Sequence, residues 1–295
     1  MQKKNSLVIE KKLYQKIRKS KINIYLANKN VVHNEYLKAF AKGCGGKLLN
    51  VQNYEESDVA VVFGVLKKEK KTTHYRGEII LKQKEKGHKT IVIDLGFIRR
   101  DSYGKNYFSI GFDNIIGWGN YRNLNMPDDR IKKLNLNINE WKNNKNGHII
   151  LCGQIPWDAS CQDIDINDWL NNTSKEIQKR TNKKIIYRPH PKSIDYNPKN
   201  IPGCEVSLRP ISLDFNNAYC TVVYNSTSAV ESIISGIPTM VLGKGCVAEK
   251  VSTTSLDFID KLNMPDIWPW LSDLAYAQWN KEEMERGEPW FHLTR

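Results

Sequence analysis

The chain has 295 residues, 40% of them hydrophobic and 26% charged, a balance that suits a globular protein of two lobes and is too apolar for wholesale disorder. Its 45 Lys and Arg against 32 Asp and Glu leave a formal charge of +13, which favours polyanionic partners such as nucleic acid or an anionic surface. No apolar run approaches the ~20 residues that span a bilayer, and the lysine-rich start lacks the apolar core of a secretion signal, so a cytoplasmic location without membrane insertion is expected.

In chain order, basic residues gather first at Lys3, Lys4, Lys11, Lys12, Lys16, Arg18, Lys19 and Lys21, and again at 67–71 with Lys82, Lys84, Lys86 and Lys89. Each cluster reads either as a polyanion-binding surface or as a plain solvated face. The alternation of Ile22, Ile24 and Leu26 predicts a strand over 21–27, and a helical pattern follows around 36–41. An apolar run at 59–66, a helical stretch at 75–86 and a further apolar run at 90–95 repeat that order, which predicts a parallel sheet covered by helices. Residues 1–146 are accordingly expected to form one α/β lobe, closed by an Asn-rich, turn-forming segment at 135–147.

The second lobe, 147–262, reads as a strand at 149–152, a helix at 166–181, strands at 184–188 and 219–224, a helix at 229–235 stopped by Gly236, and a strand at 239–242. The last segment, 263–295, is rich in Trp and acidic residues and is expected to form a helix or two packing back across the lobes. The fold class is therefore α/β, with two Rossmann-like lobes facing a central cleft. Six cysteines, Cys44, Cys152, Cys161, Cys204, Cys220 and Cys246, include no C-x-x-C pair, so neither a zinc site nor a disulfide framework is suggested.

Two motifs carry chemistry. A strand ending at Tyr187 delivers Arg188 and His190 to its carboxyl end, between Pro189 and Pro191, where a guanidinium fork and an imidazole suit a phosphate. The competing reading is a proline-stiffened turn with a surface histidine. The strand 221–224 then runs into Asn225, Ser226, Thr227 and Ser228 at a helix start, where hydroxyls and backbone N–H groups gather for an anion. Simple N-capping explains one hydroxyl of that cluster but not all of them. Glu231, one turn on, reads as a ribose ligand or as a helix-stabilising acid. Asp163-x-Asp165 reads as a helix cap, so no metal is expected.

These motifs form an ordered set: Leu151-Cys152-Gly153-Gln154 with Asp158-Ala159-Ser160, Tyr187 to Pro191, Tyr224 to Glu231, and Gly236-Ile237-Pro238. The set resembles the β-Kdo transferase group of bacterial capsule synthesis, within the GT-B glycosyltransferases. Asp94 to Arg100 and Tyr107 to Ile110 are similar to that group's acidic segment in the N-terminal lobe, although Leu95 stands where the group has a second acid. The resemblance covers roughly residues 90–245. It implies a nucleotide-sugar co-substrate, UDP- or CMP-linked, held by Gly153, Gln154, Ser160, Arg188, His190, Asn225, Ser226, Thr227, Ser228 and Glu231. It implies further that Asp94 deprotonates an acceptor hydroxyl and that Arg99 and Arg100 bind the acceptor. Asp94 reads as well as a structural cap of the following turn.

The compact length, the strong basicity and the tail from Trp270 to Trp279 look more like bacteriophage-encoded members of the superfamily, which decorate hydroxymethylated pyrimidines in DNA. The expected acceptor is then double-stranded DNA in the host cytoplasm, gripped through its phosphates, with Tyr103, Tyr107, Phe108, Trp118 or Tyr121 stacking on an extruded base. The alternatives are a cell-surface glycan acceptor with a CMP-sugar or CDP-alcohol donor, and a non-catalytic DNA-binding module.

Overall fold

The computed structural model describes residues 19–28, 31–65, 74–98, 107–161 and 164–295. The chain divides into two compact units: residues 1–126 with 273–295, and residues 127–272. The division falls after Met126 rather than at the Asn-rich segment. That segment is tied by hydrogen bonds to the second unit, from Asn139 N–H to Ile234, Lys142 N–H to Gly236 and the Trp141 indole to Pro265.

In the first unit, β1 (Ile22–Leu26), β2 (Lys47–Asn50), β3 (Val59–Phe63) and β4 (Lys89–Leu95) run parallel, and β5 (Phe108–Phe112) runs antiparallel to β4. Helices α1 (Val31–Cys44) and α2 (Tyr75–Glu85) make the crossovers that parallel pairing requires. Every residue of β3 and β5 is buried, as expected of strands covered on both faces. Their Val59, Val61, Phe63, Phe108 and Ile110 join Leu37 and Phe40 of α1 in one core.

The second unit begins with α3 (Asp129–Leu134) and holds an all-parallel sheet. Its strands are β6 (His148–Cys152), β7 (Ile185–Arg188), β8 (Cys204–Val206), β9 (Ala218–Val223) and β10 (Thr239–Val241), in the spatial order β10-β9-β6-β7-β8. Helices α4 (Ile166–Arg180), α5 (Ile211–Asp214) and α6 (Ser228–Ile234) connect them. Asp165 caps α4 by accepting from Asn167 and Asp168 N–H, and Gly236, at φ 77°, closes the turn after α6.

Helix α7 (Trp268–Ala275) contains the point at which the chain returns to the first unit. Of the last segment, residues 263–272 belong to the second unit and residues 273–295 to the first. Strand β11 (Gln278–Trp279) adds antiparallel to β5, and α8 (Lys281–Glu285) and α9 (Glu288–Thr294) bring Met284, Trp290 and Leu293 into its core. The first sheet thus reads β11-β5-β4-β3-β1-β2. Among the described residues no helix is long and apolar enough to cross a membrane, and all six cysteines are free.

Candidate functional site

Cys152 is in register with Arg188 and Leu151 with Val222, so β6, β7 and β9 end side by side. The chain leaves β6 toward β7 on one flank while β9 lies on the other, which makes the end of β6 the switch point where open α/β sheets take ligands. Gly153–Gln154, Pro189–His190 and Tyr224–Ser228 are the segments that emerge there.

A buried polar lattice joins them. Gln154, only 7% exposed, donates from Nε2 to Asn225 Oδ1 at 2.6 Å and to Ser160 Oγ at 2.7 Å. Asn225 donates in turn to the carbonyls of Ser160 at 2.8 Å and Lys244 at 3.0 Å, while Ser160 Oγ donates to Asp158 at 2.6 Å. Asn197 completes the path: its amide donates to the Gln154 carbonyl at 3.0 Å and its Oδ1 accepts from His190 N–H at 2.9 Å. One hydrogen-bonded path therefore runs from His190 to Asn225. Gln154 Oε1 is buried with no hydrogen-bond partner, and such groups are rare in folded proteins, so this acceptor is suited to an N–H or O–H of a bound molecule.

Gly153 permits this closeness. A Cβ there would lie 2.9 Å from Asn197 Oδ1 and 3.1 Å from both the Arg188 carbonyl and His190 N. His190 Nδ1 accepts from Lys192 N–H at 3.1 Å, which places the proton of the neutral ring on Nε2, as a donor. Ser226 Oγ accepts from Ser228 N–H at 3.3 Å and from Ser228 Oγ at 3.0 Å, so its own hydrogen is the capacity left to donate. Thr227 and Ser228 are half-buried, and Glu231 is exposed in the first turn of α6. Burial pushes the Cys152 thiol up to about 11, against a hydrogen bond with Ser228, which makes it a core group rather than a nucleophile.

Arg188 has a different task from the one expected. It is 9% exposed and bridges Asp214, which is 0% exposed, while also donating to Ser207 Oγ at 3.2 Å. Arg209 meets the other Asp214 oxygen. A guanidinium neutralised through Nη1 by a buried carboxylate holds the β7 end in place. Asn197 and Asp214, which help complete the site, carry no motif signal: each is recognised only by the backbone or side chain that folding brings to it.

In the first unit, Asp94 lies one residue before the end of β4, opposite Ser109, half-buried, with Oδ1 accepting from Leu95 N–H at 2.7 Å. Its charge is felt by Arg76 and Tyr121: burial first and the Asp94 charge second push the Tyr121 hydroxyl far above its ordinary value. Phe108 and Tyr121 are buried in the core, which removes them as stacking platforms for a base. Tyr107 is half-buried and Trp118 exposed, whereas Arg99, Arg100 and Tyr103 lie outside the described residues. Of the second basic cluster, 67–71 lie outside the described residues, while Lys86 pairs with Glu56, Lys89 with Asp113 at 2.8 Å and Lys82 lies over the Tyr54 ring. An exposed aromatic pair missed in the sequence lies beside the lattice: Trp157 and Tyr196 meet edge to face at 4.7 Å, on the loops after β6 and β7.

No protein-family model and no curated protein matches the sequence. Among solved structures, the chain is similar to the beta Kdo 2,7 transferase of Thermosulfurimonas dismutans KpsC, at 16% identity and a TM-score of 0.57, covering 93% of this chain and 100% of that one. It is also similar to the beta Kdo 2,4 transferase of the same organism's KpsC, at 11% identity and a TM-score of 0.52, covering 86% and 89%. With its parallel sheets and switch points, the chain has the two-lobe, Rossmann-like GT-B fold.

Proposed function

We propose that the chain is a glycosyltransferase that takes a UDP- or CMP-sugar in its second unit and passes the sugar to an acceptor hydroxyl. The observation that carries this reading is the hydrogen-bonded path from His190 through Asn197 and Gln154 to Asn225, which gathers donors from three strand ends at one switch point. His190 Nε2–H, the Ser226 hydroxyl and the backbone N–H groups of 226–228 meet the phosphate oxygens, and Gln154 Oε1 accepts from a hydroxyl or amino group of the nucleotide. Trp157 and Tyr196 supply an apolar face for its base or sugar.

In the transfer step the acceptor oxygen forms its bond to the anomeric carbon as the bond from that carbon to the nucleotide phosphate breaks. Asp94 takes the acceptor proton, and the phosphate-binding donors stabilise the charge on the departing nucleotide. His190→Ala and Ser226→Ala are expected to weaken donor binding by about 1–3 kcal/mol each while leaving the fold intact, measured by calorimetric titration with UDP- and CMP-sugars. Unchanged affinity in both variants removes the site.

Two acceptor readings have separate support. The likeness to two Kdo transferases favours a cell-surface glycan, and the formal charge of +13 favours hydroxymethylpyrimidine DNA. Incubating the enzyme and a panel of nucleotide sugars with each acceptor separates them: a sugar-mass increment on nucleosides supports DNA, and one on the glycan supports the other. We rank the glycan first, because Lys86 and Lys89 are paired with carboxylates.

A further inference from the structure

The first unit has a switch point of its own. Strand β1 is flanked by β2 on one side and β3 on the other, and a cavity of about 620 Å³ opens where β1 and β3 end, within the range of small-molecule sites. We infer that this cavity is an oxyanion site, holding the phosphate or carboxylate of the acceptor against Arg76, His33 and His74.

Chemistry at the wall points to an anion. Arg76, His33 and His74 line the cavity with Tyr25, Phe63 and Tyr75, and no carboxylate is among the described lining residues. Arg76 donates from Nη1 to the Phe63 carbonyl, which fixes the guanidinium at the end of β3, and its Nε is buried with no hydrogen-bond partner. A buried unpaired donor on a cation is costly, and an oxyanion is the partner that relieves it best. Gly64, at φ 66°, follows β3 directly, and a Cβ there would lie 3.4 Å from Arg76 Nη1, so the turn leaves the guanidinium room.

The imidazoles are held by packing and capping. His33 stacks on Phe63 with centroids 3.7 Å apart and planes 7° from parallel, so its N–H bond and nitrogen lone pair point outward in the ring plane rather than into the aromatic face. His74 caps α2 by accepting from Arg76 N–H at Nδ1, which places its neutral-form proton on Nε2. Burial, then the Arg76 charge, hold both imidazoles below their ordinary value. The carboxylate felt by Arg76 is Asp94, the residue read above as the base. An acceptor anchored by its anion at Arg76 therefore lies close to Asp94. That the anion belongs to the acceptor rests on the sugar-transfer reading; that an anion binds does not.

The test is a titration of the full chain, without nucleotide sugar, against glucose 6-phosphate, glucuronate and neutral glucose, read by calorimetry and by the side-chain NMR signals of His33 and His74. Saturable binding of one of the two acids, with both histidine signals displaced and no response to glucose, is the expected result, and the tighter acid identifies phosphate or carboxylate. Arg76→Gln is expected to weaken that binding about tenfold or more, the effect of losing a charge-assisted contact. Since Arg76 also holds the Phe63 carbonyl, a second variant guards against simple unfolding: His74→Asn keeps an N-cap acceptor and is expected to weaken binding with the helix intact. Equal binding of glucose, no displacement of either histidine signal, or wild-type affinity in a folded Arg76→Gln variant overturns the inference. A failed donor titration, by contrast, bears on the sugar-transfer reading and leaves this site standing.

Discussion

At the scale of single residues, the pairing of Arg188 with Asp214 sets what the second unit can tolerate. Burial by itself drives the Asp214 carboxyl upward, but hydrogen bonds from Arg209, Ser207 and Arg188 overcome it and hold the group below its ordinary value. A carboxyl depressed in the folded state contributes stability that is complete above its unfolded value and is lost as the pH falls toward the folded one. Asp214→Asn leaves the Arg188 guanidinium buried without a counter-ion and is expected to cost about 3–5 kcal/mol at neutral pH, measured by urea unfolding. The gap between wild type and variant is expected to narrow as the pH drops below about 4, the ordinary aspartate range. A gap independent of pH overturns the assignment. Nothing in the local sequence distinguishes an arginine that grips a phosphate from one that neutralises a distant aspartate, so Arg188 was legible as a site residue but not in its role.

Among elements, legibility followed length and periodicity. The strands with continuous apolar runs, β3, β4, β6 and β9, and the amphipathic helix α4 stand where alternation and capping predict them. The short edges β2, β8 and β11 do not announce themselves, because so few residues paired on one side carry no pattern. The loops between strands were readable as motifs, but their shape rests on contacts such as Asn197 to His190 that only the fold creates. Gly153→Ala tests this directly. The added methyl meets Asn197 Oδ1, the Arg188 carbonyl and His190 N together, and overpacking of that kind typically costs about 1–3 kcal/mol. Donor affinity is expected to fall with stability, since the displaced groups are links in the path that holds His190. A variant that is less stable but binds the donor normally shows that the path does not position the site.

For the whole molecule, the return of the chain to the first unit has a consequence for Asp94. Gln278 of β11 is fully buried: its Oε1 accepts from Phe97 and Ile98 N–H, both at 2.8 Å, and its Nε2 donates to the Ile98 carbonyl at 3.0 Å. The backbone just after Asp94 is thus clamped by a side chain from the far end of the sequence. Removing the clamp leaves buried peptide groups unpaired, at about 1–3 kcal/mol for each group left without a partner. Gln278→Leu, close in volume, is expected to loosen the segment after Asp94 and lower transfer activity while donor binding in the second unit stays at the wild-type level. Ending the chain at Ser272 is expected to do more. It strips Trp279, Met284, Trp290 and Leu293 from the first core, each worth roughly 1.5–3 kcal/mol, a sum that rivals the whole stability of a typical domain. Amide hydrogen exchange separates the two cases. The point variant is expected to lose protection around 96–98 alone, and the truncated chain across β1, β3, β4 and β5. Retention of slow exchange in those strands after truncation shows that the first unit does not depend on the tail.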